Sequence, residues 1–236
     1  MNNRTTAIAA LATAAFSSGA LATVTTFDNG DEGWSIQNAV TIENSGGNPG
    51  NFLSHFQIDT FGVTVSNSRN PAFIGDYSAK GESVSVSMDI EVTRVWDQFI
   101  GDVSRELVVE FRNHDLAQGG LPYTSVWTSI GVMTTGTPWT TVGTTIDDTS
   151  SATLPAGWGG YGAEDPNTFE PILPAGVTFA DVLSNVDELV FTTYVPGYFF
   201  GFTNYDFGVD NMTITPTPGA ASVFALAGVA GLRRKR

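Results

Sequence analysis

The sequence predicts an all-β fold, an antiparallel β-sandwich of the jelly-roll type, and three observations carry that expectation. The run Ser83–Val92 alternates strictly, with Val84, Val86, Met88, Ile90 and Val92 on one face and Ser83, Ser85, Ser87, Asp89 and Glu91 on the other. Further short β-rich runs follow, each bounded by Gly, Pro, Asn or Asp. Only Phe179 to Asn185 has a helical pattern, of about two turns. Many strands with almost no helix fit a sandwich and not an α/β enzyme.

In chain order the alternating run comes first and reads as a half-buried strand, its Ser-rich face turned to solvent. Leu107 to Phe111 is a compact β-rich run. Tyr123 to Val132 starts after Pro122, and Trp139 to Ile146 lies between Pro138 and the Asp147-Asp148 pair. The helical turn at 179–185 precedes Leu189 to Val195, which stops at Pro196-Gly197. Asp206 to Thr215 closes the series before Pro216.

Composition narrows the function. Hydrophobic residues make up 42% of the 236, with 16 Phe and 5 Trp, enough for one sizeable core. No Pro/Ser-rich linker interrupts residues 24–215, so a single domain is expected. All 24 acidic residues lie between the two ends, against Arg69, Lys80, Arg94, Arg105 and Arg112, a formal charge of −19 for the body. Such a surface repels nucleic acid and anionic membranes. With no Cys there is no disulfide, zinc-thiolate site or thiol nucleophile.

Both ends carry addresses. Residues 1–22 have the three parts of a signal peptide: Arg4, an apolar run from Thr5 to Phe16, and Ala20-Leu21-Ala22 before the expected cut. At the other end, residues 216–236 combine Pro216-Thr217-Pro218-Gly219, thirteen uncharged and mostly apolar residues (220–232), and Arg233-Arg234-Lys235-Arg236. Thirteen helical residues reach about 20 Å, short of a bilayer core. The arrangement resembles the PEP-CTERM sorting signal, although the Glu of the motif is absent. That resemblance implies an exosortase-type sorting enzyme as partner and membrane contact through the tail. The chain is expected to be exported to the cell surface or beyond.

The body, residues 23–215, carries three passages in order: Phe27-Asp28-Asn29-Gly30-Asp31-Glu32-Gly33-Trp34 with Gly47-Asn48-Pro49-Gly50, then Phe73-Ile74-Gly75-Asp76-Tyr77-Ser78, then Phe179 to Val186 with Gly208-Val209-Asp210-Asn211-Met212. Together they resemble the laminin B (laminin IV type A) domain, a jelly-roll module akin to carbohydrate-binding modules. The Gly-rich stretch Asp147 to Gly176 departs from it as an insertion. The resemblance implies an extracellular adhesion or ligand-binding role.

Asp28, Asp31 and Glu32 gather hard oxygen ligands on one Gly-containing turn, which suits calcium. By the resemblance, which places first and last strands together around a structural calcium, Asp210 joins Asp28 and a backbone carbonyl, so that Asp28, Asp31 and Asp210 are the candidate ligands. Turn capping by the same side chains is the competing reading. Trp158 and Tyr161, in Gly157-Trp158-Gly159-Gly160-Tyr161-Gly162, are the candidate sugar-stacking residues on a loop too Gly-rich for a core. The alternative is that these rings cap the open end of the sandwich. A second aromatic group is Tyr198, Phe199, Phe200, Phe202 and Tyr205. No nucleophile elbow, zinc helix or phosphate loop is present, and His55 and His114 stand outside any motif, so no catalysis is expected. The main expectation is a noncatalytic surface or matrix protein with an adhesion or ligand-binding sandwich. The alternative is a carbohydrate-binding module acting on an extracellular polysaccharide.

Overall fold

The computed structural model describes residues 21–36 and 41–217. The predicted signal peptide, apart from its last two residues, and the sorting tail from residue 218 onward lie outside them.

Among the described residues fifteen strands and two short helices follow one another. They are β1 (Thr23–Thr25), β2 (Trp34–Ile36), β3 (Thr41–Gly47), β4 (Gly50–Thr60), β5 (Thr64–Asn67), α1 (Tyr77–Lys80), β6 (Ser83–Asp97), β7 (Gly101–Asp102), β8 (Ser104–Asn113) and β9 (Thr124–Thr134). Then come β10 (Thr137–Ile146), β11 (Trp158–Tyr161), β12 (Ala163–Glu164), β13 (Pro171–Ile172), α2 (Phe179–Leu183), β14 (Glu188–Thr192) and β15 (Thr203–Thr217). The first sheet runs β10-β6-β15-β4-β3, with β1 added to β15 and β7 to β6. The second runs β11-β9-β8-β14-β5-β2, and β12 and β13 form a separate hairpin. Every pairing between these strands is antiparallel. The all-β jelly-roll sandwich expected from the sequence is therefore the architecture.

The alternating run forms most of β6, and its five apolar side chains are all buried. Each contributes on the order of 1.5–3 kcal/mol relative to exposure. Val109, Phe111, Val126, Leu189 and Phe191 close the core from the second sheet. One end is filled by Trp34, edge-on to Phe73 at 5.0 Å and tilted against Phe191 at 5.9 Å. Tyr77, buried beside Phe111, donates its hydroxyl to the Phe73 carbonyl at 2.7 Å. Helix α2 forms where the pattern placed it. Thr178 and Asp181 make a capping box that supplies the orphan N-terminal donors, and Phe179, Val182 and Leu183 enter the core.

Register fixes which end is which. Thr23 pairs with Ile214 and Thr217 with Ser83, whereas Asn204, near the other end of β15, pairs with Trp96. The described chain thus enters and leaves near one end of the sandwich, and Trp96 lies near the opposite end.

Candidate functional site

Strand β8 turns Val109 and Phe111 inward, so Glu110 and Arg112 face outward from the second sheet. The register aligns two rows across that face. Tyr161, Ser125, Arg112 and Glu188 form one, and Gly159, Trp127, Glu110 and Val190 the next. Arg112 is the centre of the array. Its Nε and Nη2 donate to Glu110 Oε2 at 2.8 and 2.6 Å, and its Nη1 donates to Glu188 Oε2 at 3.0 Å. Ser125 Oγ donates to the other Glu110 oxygen at 2.6 Å. Burial opposes the charge on Arg112, but the neighbouring Glu110, Tyr123 and Glu188 outweigh it and hold the guanidinium charged.

Three rings border the array. The Arg112 guanidinium sits 4.4 Å over the Tyr123 ring, and Tyr123 and Tyr161 have centroids 5.1 Å apart. Burial pushes both phenols up, and the Glu110 charge adds to it. Trp127 is the third ring, and it lies so close over Gly159 that a Cβ there would stand 2.3 Å from the indole. All three rings are partly exposed. Deeper in the face, Glu110 is only 1% exposed, and Val108 and Val190 are buried although they stand outside the main core. Chain therefore roofs part of this face and leaves the tyrosine border open. The loop 193–202 meets the β12–β13 hairpin where Pro171 packs on Gly197, 2.5 Å from a Cβ built there.

The sequence pointed to Tyr161 and Trp158, and the structure separates them. They are three residues apart on β11, and a strand with period two sends such a pair to opposite faces. Tyr161 borders the outer face beside Tyr123. Trp158 turns inward, 5.0 Å from Phe179 and 5.8 Å from Phe111. The expected Gly-rich loop is thus an edge strand. Its glycines admit Trp127 over Gly159, and Leu173 against Gly160, where a Cβ would meet the Leu173 side chain at 2.6 Å. Tyr123, Trp127, Glu110, Arg112 and Glu188 escaped the sequence reading, because only strand register assembles them.

The acidic residues divide as well. Asp210 is fully buried; its Oδ2 accepts the Asn48 amide and its Oδ1 the Asn211 amide, both at 2.7 Å. A Cβ on Gly47 would stand 2.8 Å from Asp210 Oδ2, and one on Gly50 3.3 Å from Asp28 Oδ1. Gly47 and Gly50 are paired in the β3–β4 hairpin, so Asp28 and Asp210 approach one turn. Burial raises the Asp210 carboxyl, and the charges of Asp89 and Asp28 raise it further. Asp31 is engaged elsewhere. Its Oδ1 caps the Gly33 amide at 3.0 Å and its Oδ2 pairs with Arg69 at 3.1 Å. Among the described residues no three His, Asp or Glu side chains are grouped as a metal site would group them. The oxygen chemistry of Asp28 and Asp210 fits a hard cation, and Asp31 does not join them.

Asp89 corrects the expectation of a solvated Ser-rich face. It stands directly opposite Asp210 and is 7% exposed. The hairpin folds over it, so that the side-chain amides of Asn48 and Asn211 donate to its Oδ2 at 3.1 and 2.8 Å, and Thr141 donates to its Oδ1. In the second aromatic group, Tyr205 is buried, Phe200 lies under Arg105, and Tyr198, Phe199 and Phe202 are exposed. His55 is buried against Phe207, and His114 lies 5.9 Å from Tyr123.

No protein-family model matches the chain. No curated protein matches it either. Among solved structures it is similar to the family 11 carbohydrate-binding module from Clostridium thermocellum in complex with a β-1,3-1,4-mixed-linked tetrasaccharide. Identity is 14% and the TM-score 0.49, over 84% of this chain and 98% of that one. It is also similar to an exo-β-agarase (15%, TM-score 0.47, 82% of this chain), of which it spans 25%. A third is the family 30 carbohydrate-binding module of a cellulosomal cellulase of Clostridium thermocellum (16%, TM-score 0.39, 84% of this chain and 93% of that one). Likeness at this level carries no functional argument, and the side chains must supply one.

Proposed function

We propose that the chain is an exported, noncatalytic binding protein whose sandwich holds an extracellular polysaccharide on the outer face of its second sheet. The observation that carries this reading is the Tyr123–Tyr161 pair beside an immobilised Arg112. Flat rings receive the apolar faces of pyranose rings, and two tyrosines supply such a surface at small cost in side-chain entropy. The charged groups beside them are fixed by mutual bonds, so they are pre-organised to meet hydroxyls. This is the alternative that the sequence left open; the adhesion role expected from the laminin B resemblance has no support in the structure.

Geometry also supports a noncatalytic role. A glycosidase needs two carboxyl groups free to reach opposite sides of a glycosidic bond. Glu110 and Glu188 are instead bound to the same guanidinium, and Glu110 is buried beneath it. The leader at 1–22 and the tail at 216–236 support export, with an exosortase-type enzyme acting on the tail and the tail in contact with the membrane. Asp28 and Asp210 are the residues that would hold a structural calcium, which would neutralise their charge at the β3–β4 turn.

Calorimetric titration of the secreted protein with soluble neutral polysaccharides tests the reading. Tyr161→Ala and Tyr123→Ala are each expected to weaken the second-sheet site about tenfold or more. Isotherms unchanged in both variants would overturn it.

A further inference from the structure

The outer face of the first sheet carries its own aromatic and polar array, on the opposite side of the sandwich from Tyr161. Trp139 reaches across it: its Nε1 donates to the Gly46 carbonyl at 3.0 Å, its ring meets Phe52 edge-on at 5.5 Å, and both lie over Gly208. Four residues further along β4 stands Phe56, 61% exposed, with its ring 6.2 Å from Trp96. At about 3.4 Å per residue the two aromatic pairs are about 14 Å apart. On the same face the register places Ser54 between them, Glu91 beside Gly208, and Asp206 directly opposite Phe56. Burial raises the Asp206 carboxyl. Arg94, directly opposite Asp206, pairs instead with Asp102 at 2.9 Å and covers Trp96. Asp206 is thereby left as an acceptor with no ion-pair partner among the described residues.

We infer that this face is a second polysaccharide-binding surface, specific for uncharged glycan. The inference rests on the reading of the chain as a glycan-binding protein. Two aromatic ledges, each with a carboxylate acceptor beside it, fit a chain of sugar rings lying along β4 and β15, stacked at both ends and donating hydroxyls to Asp206 and Glu91. The acids exclude anionic polysaccharide. A second copy of the protein is disfavoured as occupant, because it would bring two bodies of formal charge −19 face to face. With sites on both sheets, one molecule bridges two polysaccharide strands, and the gain in avidity needs no further contact.

The experiment is calorimetric titration of the full secreted chain with two neutral probes, soluble β-1,3-1,4-glucan and agarose oligosaccharide, together with the turbidity each polymer develops on mixing. Wild type is expected to bind at two sites per chain and to cross-link polymer. Phe56→Ala and Asp206→Asn are each expected to remove one site, weakening it about tenfold, and to abolish cross-linking. Tyr161→Ala removes the other. Phe56 is exposed and Asp206→Asn preserves size, so unchanged melting temperatures show that the fold is retained. Binding lost in Tyr161→Ala but unaffected by Phe56→Ala and Asp206→Asn overturns the inference and leaves the second-sheet reading standing. Binding lost only in the first-sheet variants supports the inference and overturns that reading. No binding of either probe overturns both.

Discussion

The guanidinium of Arg112 lies 4.4 Å above the ring of Tyr123. The same guanidinium neutralises Glu110, which is buried, and pairs with Glu188. Removing it strands a buried carboxylate. Arg112→Ala is therefore expected to cost about 3–5 kcal/mol. Arg112→Lys keeps the charge but not the paired bonds to Glu110, and should fall between the two. Urea unfolding of the three proteins checks this, and equal midpoints would contradict it.

Trp158 and Tyr161 are expected to fail in different ways. Trp158 packs on Phe111 and Phe179, so Trp158→Ala leaves a cavity at the core edge and costs about 3 kcal/mol. Tyr161→Ala should change stability by less than about 1 kcal/mol while weakening glycan binding. Thermal melts and titrations of the two variants make the comparison, and a stable Trp158→Ala protein that has lost binding would reverse the assignment.

Gly208 is held to its size by neighbours and not by backbone conformation. A Cβ there would stand 2.7 Å from Phe52 Cδ2 and 3.1 Å from Trp139 Cη2. Gly208→Ala should cost about 1–3 kcal/mol through overpacking. It should also shift the ring resonances of both aromatics, whereas unchanged spectra and stability would show that the rings do not rest there.

Asp210 gives a pH signature. Its carboxyl is raised above the ordinary 3.8 by burial and by Asp89 and Asp28. From 3.8 up to the folded value the native state binds more protons than the unfolded chain. This residue's contribution thus falls as pH rises through that window and is least favourable above it. Carboxyl NMR of the metal-free protein should show Asp210 titrating above 3.8. Calcium at neutral pH should raise the melting temperature, by about 2.7 kcal/mol of stability at a hundredfold excess over Kd. Identical melts in calcium and in chelator would exclude the ion.

Much of the fold was legible where a strand buries a single face, as β6 does, whereas β8 and β14 are buried on both faces and β3 is largely exposed. In β6 the alternation of Val and Ser states which side is inside, and α2 shows in the helical pattern from Phe179 to Asn185. Strand β4 was not legible: Leu53 and His55 face the core while Phe52 and Phe56 put aromatics on the outer face, so no alternation appears. Helix α1 is a single turn, too short for a period. The site is a matter of register. Arg112 and Glu188 are 76 residues apart and meet only because β8 and β14 pair. Tyr161 could be picked out as an aromatic among glycines, but its separation from Trp158 onto opposite faces required knowing that the segment is a strand.

In the proposed function, the Tyr123–Tyr161 border of the second sheet holds polysaccharide. The most direct measurement is the binding isotherm of a soluble neutral β-glucan with wild type and with the Tyr123→Ala/Tyr161→Ala double variant, both verified as folded by thermal melt. The double variant is expected to lose one binding site per chain. An isotherm superimposable on that of wild type, or a wild type that binds no neutral glycan, would contradict it.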